Sequence, residues 1–177
     1  MVAPAGEQAP KQSKRELLVG DAEAQEAAAA FRKAYFEGEK GPRDPKIGIE
    51  TDPAVDGLTE ISIYDGMQIS MVCGRAEQMA TALQEKLFTI EDFARYNKIS
   101  EGGQKYIEEV KTQAENLKAA LSQRLEIIDK AIKEMAKVQG YKDLEQVKGE
   151  LEFPEDPAKN RVRLLMKTKE RIESVLG

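Results

Sequence analysis

Between Gly103 and Val138 the apolar residues keep a strict beat. Ile107, Ala114, Leu121, Ile128 and Met135 occupy one heptad position, and Val110, Leu117, Ala131 and Val138 occupy another; Arg124 is the one interruption of the second row. Apolar residues sustained at both seam positions are the mark of a helix packed along its length against other helices. At roughly 1.5 Å per residue, 103–138 extends about 50 Å. Leu125 and Ile132 widen the stripe beyond a two-helix seam, which favours a bundle over an isolated dimeric coiled coil.

The pattern elsewhere predicts shorter elements around that helix. Residues 1–12 are too poor in apolar groups to pack and read as a disordered tail. From Ser13 to Glu37 an Ala-rich helix is expected, with Leu17, Ala24, Ala28, Phe31 and Tyr35 on one face. Pro42, Pro45 and Pro53 make 38–57 a loop or an extended crossing segment. Apolar residues then alternate on both sides of Asp65-Gly66: Leu58, Ile61 and Ile63 before it, Met67, Ile69 and Met71 after it. Asp-Gly between alternating runs signals a type I′ turn, so 58–73 is expected to form a β-hairpin; the competing reading is a long helix broken at Gly66.

Ala76 to Phe88 follows as a helix. Thr89 is expected to cap a second, short helix, Ile90 to Asn97, and Ser100 to Gly103 to form a turn. Gly140 should stop the long helix. A short helix from Tyr141 to about Gly149 and a last one from Pro157 to Leu176 complete the reading, the latter started by Asp156-Pro157. In the last helix Val162, Leu165, Ile172 and Leu176 point inward, while Lys159, Arg161, Arg163, Lys167, Lys169 and Arg171 face water or a partner. The fold class is therefore mainly α (α+β): a helical bundle built on one long helix (103–138), with a small β-hairpin (58–73), and a single domain over 13–177.

Composition changes this picture chiefly by subtraction. Charged residues make up 33% of the 177 and aromatics 6%, with no Trp, which suits helices with Glu/Lys surfaces and aliphatic cores. The net charge of −5 is mixed in sign and calls for no polyanionic partner. There is no His, so the commonest general base and metal ligand is missing. The single Cys73 can make no internal disulfide, and without His to activate it reads as a small buried hydrophobe. No apolar run approaches the ~20 residues of a membrane span, and the N-terminus lacks a signal-peptide core, so the expected location is cytoplasmic. Export by a route that reads no cleavable signal is also compatible with the sequence.

Four features bear on chemistry. The stretch Thr89-Ile90-Glu91-Asp92-Phe93-Ala94-Arg95-Tyr96-Asn97-Lys98-Ile99-Ser100 resembles the first helix and turn of helix-turn-helix families, with Phe93, Ala94, Ile99 and Ile107 at packing positions. That resemblance implies a DNA-binding regulator with the long helix as a coiled-coil dimerisation arm. The departures are Asn97 and Gln104 where apolar residues are expected, Lys98 at the turn glycine, and Gly102-Gly103 at the start of the recognition helix. Lys105 is followed by Glu108 and Glu109, which opposes phosphate contact and argues against nucleic acid. The basic last helix is diluted by Glu170 and Glu173 and reads as a solvated face. Glu50, Asp52 and Asp56 lack the spacing of a Ca²⁺ loop and read as Asx-type turns. Arg124, finally, either demands a carboxylate opposite it or points to water beside a seam that uses Leu125.

No phosphate-cradle or nucleophile-elbow motif occurs. The expectation is a non-enzymatic helical interaction module, with no catalytic, cofactor-binding or metal-binding residues. It would assemble with itself as a homo-oligomer or with another helical protein, as a subunit, adaptor, chaperone or structural component. Ile107, Val110, Leu117, Leu121, Arg124, Ile128 and Met135 are the expected interaction residues.

Overall fold

The computed structural model describes residues 43–142, 144–145 and 157–177. Its elements there are two short antiparallel strands, β1 (Arg43–Asp44) and β2 (Ile49–Glu50), and three helices, α1 (Gly66–Ala94), α2 (Glu101–Gln139) and α3 (Pro157–Leu176). The architecture is mainly helical with a small two-stranded hairpin, and each of the three helices packs against the other two. The expected tail (1–12) and Ala-rich helix (13–37) lie outside the described residues, as does all but Tyr141, Lys142, Leu144 and Glu145 of the expected 141–149 helix.

The hairpin is not where alternation placed it. Residues 58–73 form no strand; 66–73 are the first two turns of α1. Asp65 is the helix N-cap: its Oδ1 accepts from the backbone N–H groups of Met67 (2.9 Å) and Gln68 (3.2 Å). Those donors have no intrahelical acceptor, so capping them stabilises the helix start by about 1 kcal/mol. Gly66 takes no positive φ, and a type I′ turn requires one. The alternation is real only over Ile61 and Ile63, which are buried in the segment before the helix; Gln68 Oε1 accepts from Ser62 N–H and pins this segment to α1.

Beyond Asp65 the helical period wins. Ile69, Val72, Cys73, Ala76, Met79, Ala80 and Leu83 are all buried, recurring every three or four residues straight through Gly74. Nor does Thr89 begin a new helix. It lies within α1 and its hydroxyl donates to the Glu85 carbonyl one turn back (3.0 Å).

The observed hairpin is formed by the segment expected to be a loop. Arg43 pairs with Glu50 and Asp44 with Ile49, and the turn depends on Gly48 at φ +74°. A Cβ at Gly48 would sit 2.8 Å from Gln113 Oε1, so glycine serves both the left-handed backbone and the close approach to α2. Gln113 and Asn116 of α2 hold the turn by donating to the carbonyls of Pro45 and Lys46.

α2 matches its expected span within two residues at each end. Ser100 caps it through a bond from Gly103 N–H (3.1 Å), and Gly140 closes it at φ +70° with Tyr141 N–H donating to the Ala136 carbonyl (2.9 Å). The buried stripe follows the heptads through Met135, and only Val138 falls on the exposed side. α1 and α2 are antiparallel across a short corner, 95–100. α3 lies along both: Arg171 donates to Glu77 (2.9 Å) and Gln84 (3.1 Å) of α1, and Lys169 to Asp129 of α2 (2.7 Å). The basic face of α3 is thus partly spent inside the bundle, and Arg163, expected to face outward, is buried. The core of this three-helix layer includes Leu117, Leu121, Ile128, Leu165 and Ile172, all fully buried.

Candidate functional site

All seven expected interaction residues are buried within the chain: Ile107, Val110, Leu117, Leu121, Arg124, Ile128 and Met135. Leu117, Leu121, Ile128 and Met135 belong to the main core, where they face α1 and α3 rather than solvent. The polar member of the row is the informative one.

Arg124 does not point to water. Its side chain is 6% exposed, and Nη2 donates to Asp56 Oδ1 at 2.8 Å. The carboxylate demanded by the seam comes from the segment before α1, not from a second chain. Arg75 of α1, also 6% exposed, meets the same carboxylate in a fork: Nε to Oδ1 and Nη2 to Oδ2, both at 3.0 Å. Two parallel N–H···O bonds are the strongest way for a guanidinium to hold a carboxylate. Arg75 also donates to the Glu50 carbonyl of β2 and to Gln78 Oε1.

Asp56 is presented to both arginines by a compact turn. Asp52 Oδ1 accepts from Ala54 N–H (3.1 Å), the Asx turn expected of these carboxylates, and the Asp52 carbonyl accepts from Asp56 N–H (2.7 Å). Asp52 N–H in turn donates to Asp56 Oδ2 (2.6 Å). One carboxylate therefore ties together the lead-in segment, α1 and α2. Burial lowers the Arg124 pKa, Asp56 acts against that, and Arg75 adds to it; a guanidinium stays charged throughout. Arg124 Nη1 is buried, with no hydrogen-bond acceptor among the described residues.

Arg124 also lines a cleft of about 190 Å³ between the hairpin segment and the bundle. Asp44, Thr51, Asp56 and Gln123 supply its other polar walls; Ile47, Leu58, Met79, Ala120 and Ile127 supply the apolar ones.

A second feature stands at the far end of the helices. Arg171 of α3 meets Gln84 of α1, and the five residues of α3 beyond it, at about 1.5 Å each, extend to about the level of Phe88 and fall short of the corner at 95–100. Among the described residues, three large hydrophobics are more than half exposed: Tyr96 and Tyr106 at the corner, and Phe88 two turns before it on α1. Tyr106 stacks at a tilt on Phe93, with ring centroids 5.7 Å apart, and Gly103 lets Ile99 pack closely, since a Cβ there would fall 2.5 Å from Ile99 Cγ2. This corner is the stretch with the helix-turn-helix resemblance. Its first helix is the end of the 29-residue α1, and its exposed Lys98 and Lys105 stand among Glu101, Glu108 and Glu109, which are exposed too. Arg95 is paired with Glu91 (3.3 Å) and approaches Asp92 (3.9 Å).

Cys73 is buried, and burial pushes its thiol up to about 11, partly offset by a hydrogen bond with Thr168. Among the described residues no group of three His, Cys, Asp or Glu is arranged to hold a metal, and no helix is long and apolar enough to cross a membrane. No family model, no curated protein and no solved structure matches the chain.

The sequence pattern does not reveal the aromatic corner, because Phe88 falls at the end of one apolar row and Phe93 at a packing position of the next. The exposed Tyr96 and Tyr106, ten residues apart across a turn, were the available signal.

Proposed function

We propose that this chain is a non-enzymatic assembly module of the cytoplasm that joins a second copy of itself, or another helical protein, through the α1–α2 corner. The observation that carries this reading is the exposure of Tyr96 and Tyr106 at the corner, with Phe88 exposed on the same end of α1. Clustered exposed aromatics are costly in water and are enriched where proteins meet. The seam residues of α2 then serve assembly indirectly. By burying Leu117, Leu121, Ile128 and Met135 against α1 and α3, they hold the corner out as a rigid arm, on which helix-on-helix packing of the coiled-coil kind can build an oligomer.

The test is the mass of the purified chain in solution, measured by size-exclusion chromatography with light scattering across a hundredfold concentration range. Self-association that is lost in Tyr96→Glu and Tyr106→Glu, with helical content unchanged, supports the reading. If the chain is a monomer throughout, crosslinking in cell extract should capture a partner that the two variants lose. A monomer with no partner sensitive to these residues refutes it.

A further inference from the structure

One side of α2 is used in its middle and left open near the corner. In the middle, Gln113 and Asn116 hold the hairpin turn against it. Nearer the corner the same side carries Gly102, Tyr106 and Glu109, which follow one another at spacings of four and three and are all exposed. Tyr106 is 52% exposed even though Phe93 stacks on its ring. One turn back, Gly102 has nothing within 4 Å of the place a Cβ would occupy. A projecting ring and an open notch one turn apart are a knob beside a hole.

Such a patch fits a copy of itself. A two-fold contact uses the same surface on both chains, so that surface must carry both halves of every interaction it makes. We infer that the corner is a homodimer interface in which two α2 helices cross antiparallel, with the two-fold axis level with Gln104. That axis sets residue 102 of each chain opposite residue 106 of the other, so each Tyr106 ring enters the notch at the other chain's Gly102. It also brings Lys98, at the tip of one corner, toward the turn of the other α2 that carries Glu109. Both of these side chains are exposed, and neither is in an ion pair among the described residues. The overlap ends where the hairpin turn begins, at Gln113, so the two bodies extend in opposite directions. This inference rests on the corner being a docking face, as proposed above, and commits it to one occupant, a second copy of the chain. A partner of another kind could use Tyr106 but would need neither Gly102 beside it nor opposite charges at the two ends of the patch.

The test is sedimentation equilibrium of the full chain and three variants, with helical content checked by circular dichroism. The native chain should form a dimer and nothing larger, with a Kd on the order of micromolar. Gly102→Leu fills the notch at an exposed helical position without positive φ, where leucine favours the helix more than glycine does. The fold should therefore hold while the dimer weakens at least about tenfold. An added leucine would strengthen a merely sticky contact, so a tighter or unchanged dimer overturns the inference. Lys98→Glu and Glu109→Lys each set like charges together twice per dimer and should weaken it about fivefold or more. An equimolar mixture of the two should recover the dimer as a heterodimer, and a mixture that recovers nothing overturns the arrangement. A native chain that stays monomeric while crosslinking captures a different protein at Tyr96 and Tyr106 also overturns it; in that outcome the corner keeps its docking role and only the second copy is lost.

Discussion

Asp56→Ala should be among the most damaging single substitutions in the chain, and more damaging than removal of either arginine's charge. Asp56 is only 23% exposed and faces two guanidiniums that are 6% exposed each. Its loss leaves Arg75 with the Glu50 carbonyl and Gln78, but removes the acceptor of Arg124 Nη2 when Nη1 already has none. Breaking a buried pair from one side and stranding the charge costs about 3–5 kcal/mol. Against a total stability of about 5–15 kcal/mol, that is a fifth or more of the fold. Arg124→Met is the opposite case. Asp56 keeps its forked bond to Arg75, the buried charge disappears, and the loss should stay below about 1.5 kcal/mol. Urea unfolding followed by circular dichroism measures both. With a slope of about 2 kcal/mol per molar, Asp56→Ala should lower the midpoint by about 2 M and Arg124→Met by well under 1 M. The double variant should be more stable than additivity predicts, because Arg124 is no longer there to be stranded. A loss below about 1 kcal/mol for Asp56→Ala, or a larger loss for Arg124→Met, would refute the reasoning.

Three further outcomes are expected. Asp65→Ala should cost about 1 kcal/mol and Asp65→Ser much less, because the capping acceptor is what matters at that position; equal losses in the two would count against the cap. Lys133 and Lys169 hold the Asp129 carboxyl below its ordinary 3.8, so its contribution is full above that value and is lost as pH falls through the depressed folded pKa. Because Lys133 is 74% exposed and Asp129 keeps 28% of its side chain in water, the pairing is screened: Asp129→Asn should cost less than about 1 kcal/mol at neutral pH, and the difference should shrink in unfolding curves as the pH is taken below 3.8. With its thiol raised to about 11 by burial, Cys73 should react with a disulfide reagent at pH 8 only as fast as the chain opens, and at the free-thiol rate in urea; fast labelling of the folded chain would contradict its placement.

How far the sequence carried differs by element, and the reasons are physical. The span of α2 was readable because a heptad row, a capping Ser100 and a stopping Gly140 all act locally. A carboxylate at Arg124 was legible only as one of two alternatives, since a charge on an apolar row either meets an acid or turns to water beside Leu125, and the row alone does not choose. The source of that carboxylate was not legible: Asp56 lies 68 residues away, and no local rule relates the two positions. Asp65-Gly66 misled because the same dipeptide serves as a hairpin turn or as an N-cap with its first helical residue. The deciding signal was the i, i+3, i+4 row from Ile69 to Leu83, which continues through Gly74; that glycine lies on the exposed face with nothing near it and interrupts no packing. The short β1–β2 pairing was hidden for a related reason. Two-residue strands have no period to detect, and the pair is held by Gln113 and Asn116 on α2 rather than by its own side-chain pattern.

The position of Asp56 also sets an order of events in folding. α1 and α2 are adjacent in sequence across a short corner, so their contacts close small loops and can form early. The bonds from Asp56 span 19 residues to Arg75 and 68 to Arg124, and they require the two helices to be docked before a single carboxylate can meet both guanidiniums. The cluster is then expected to act as a latch that closes after the rate-limiting step. Substitutions at Asp56 should leave the folding limb of a chevron plot almost unmoved and steepen the loss on the unfolding side, so the lifetime of the folded chain is set by a contact that takes little part in making it.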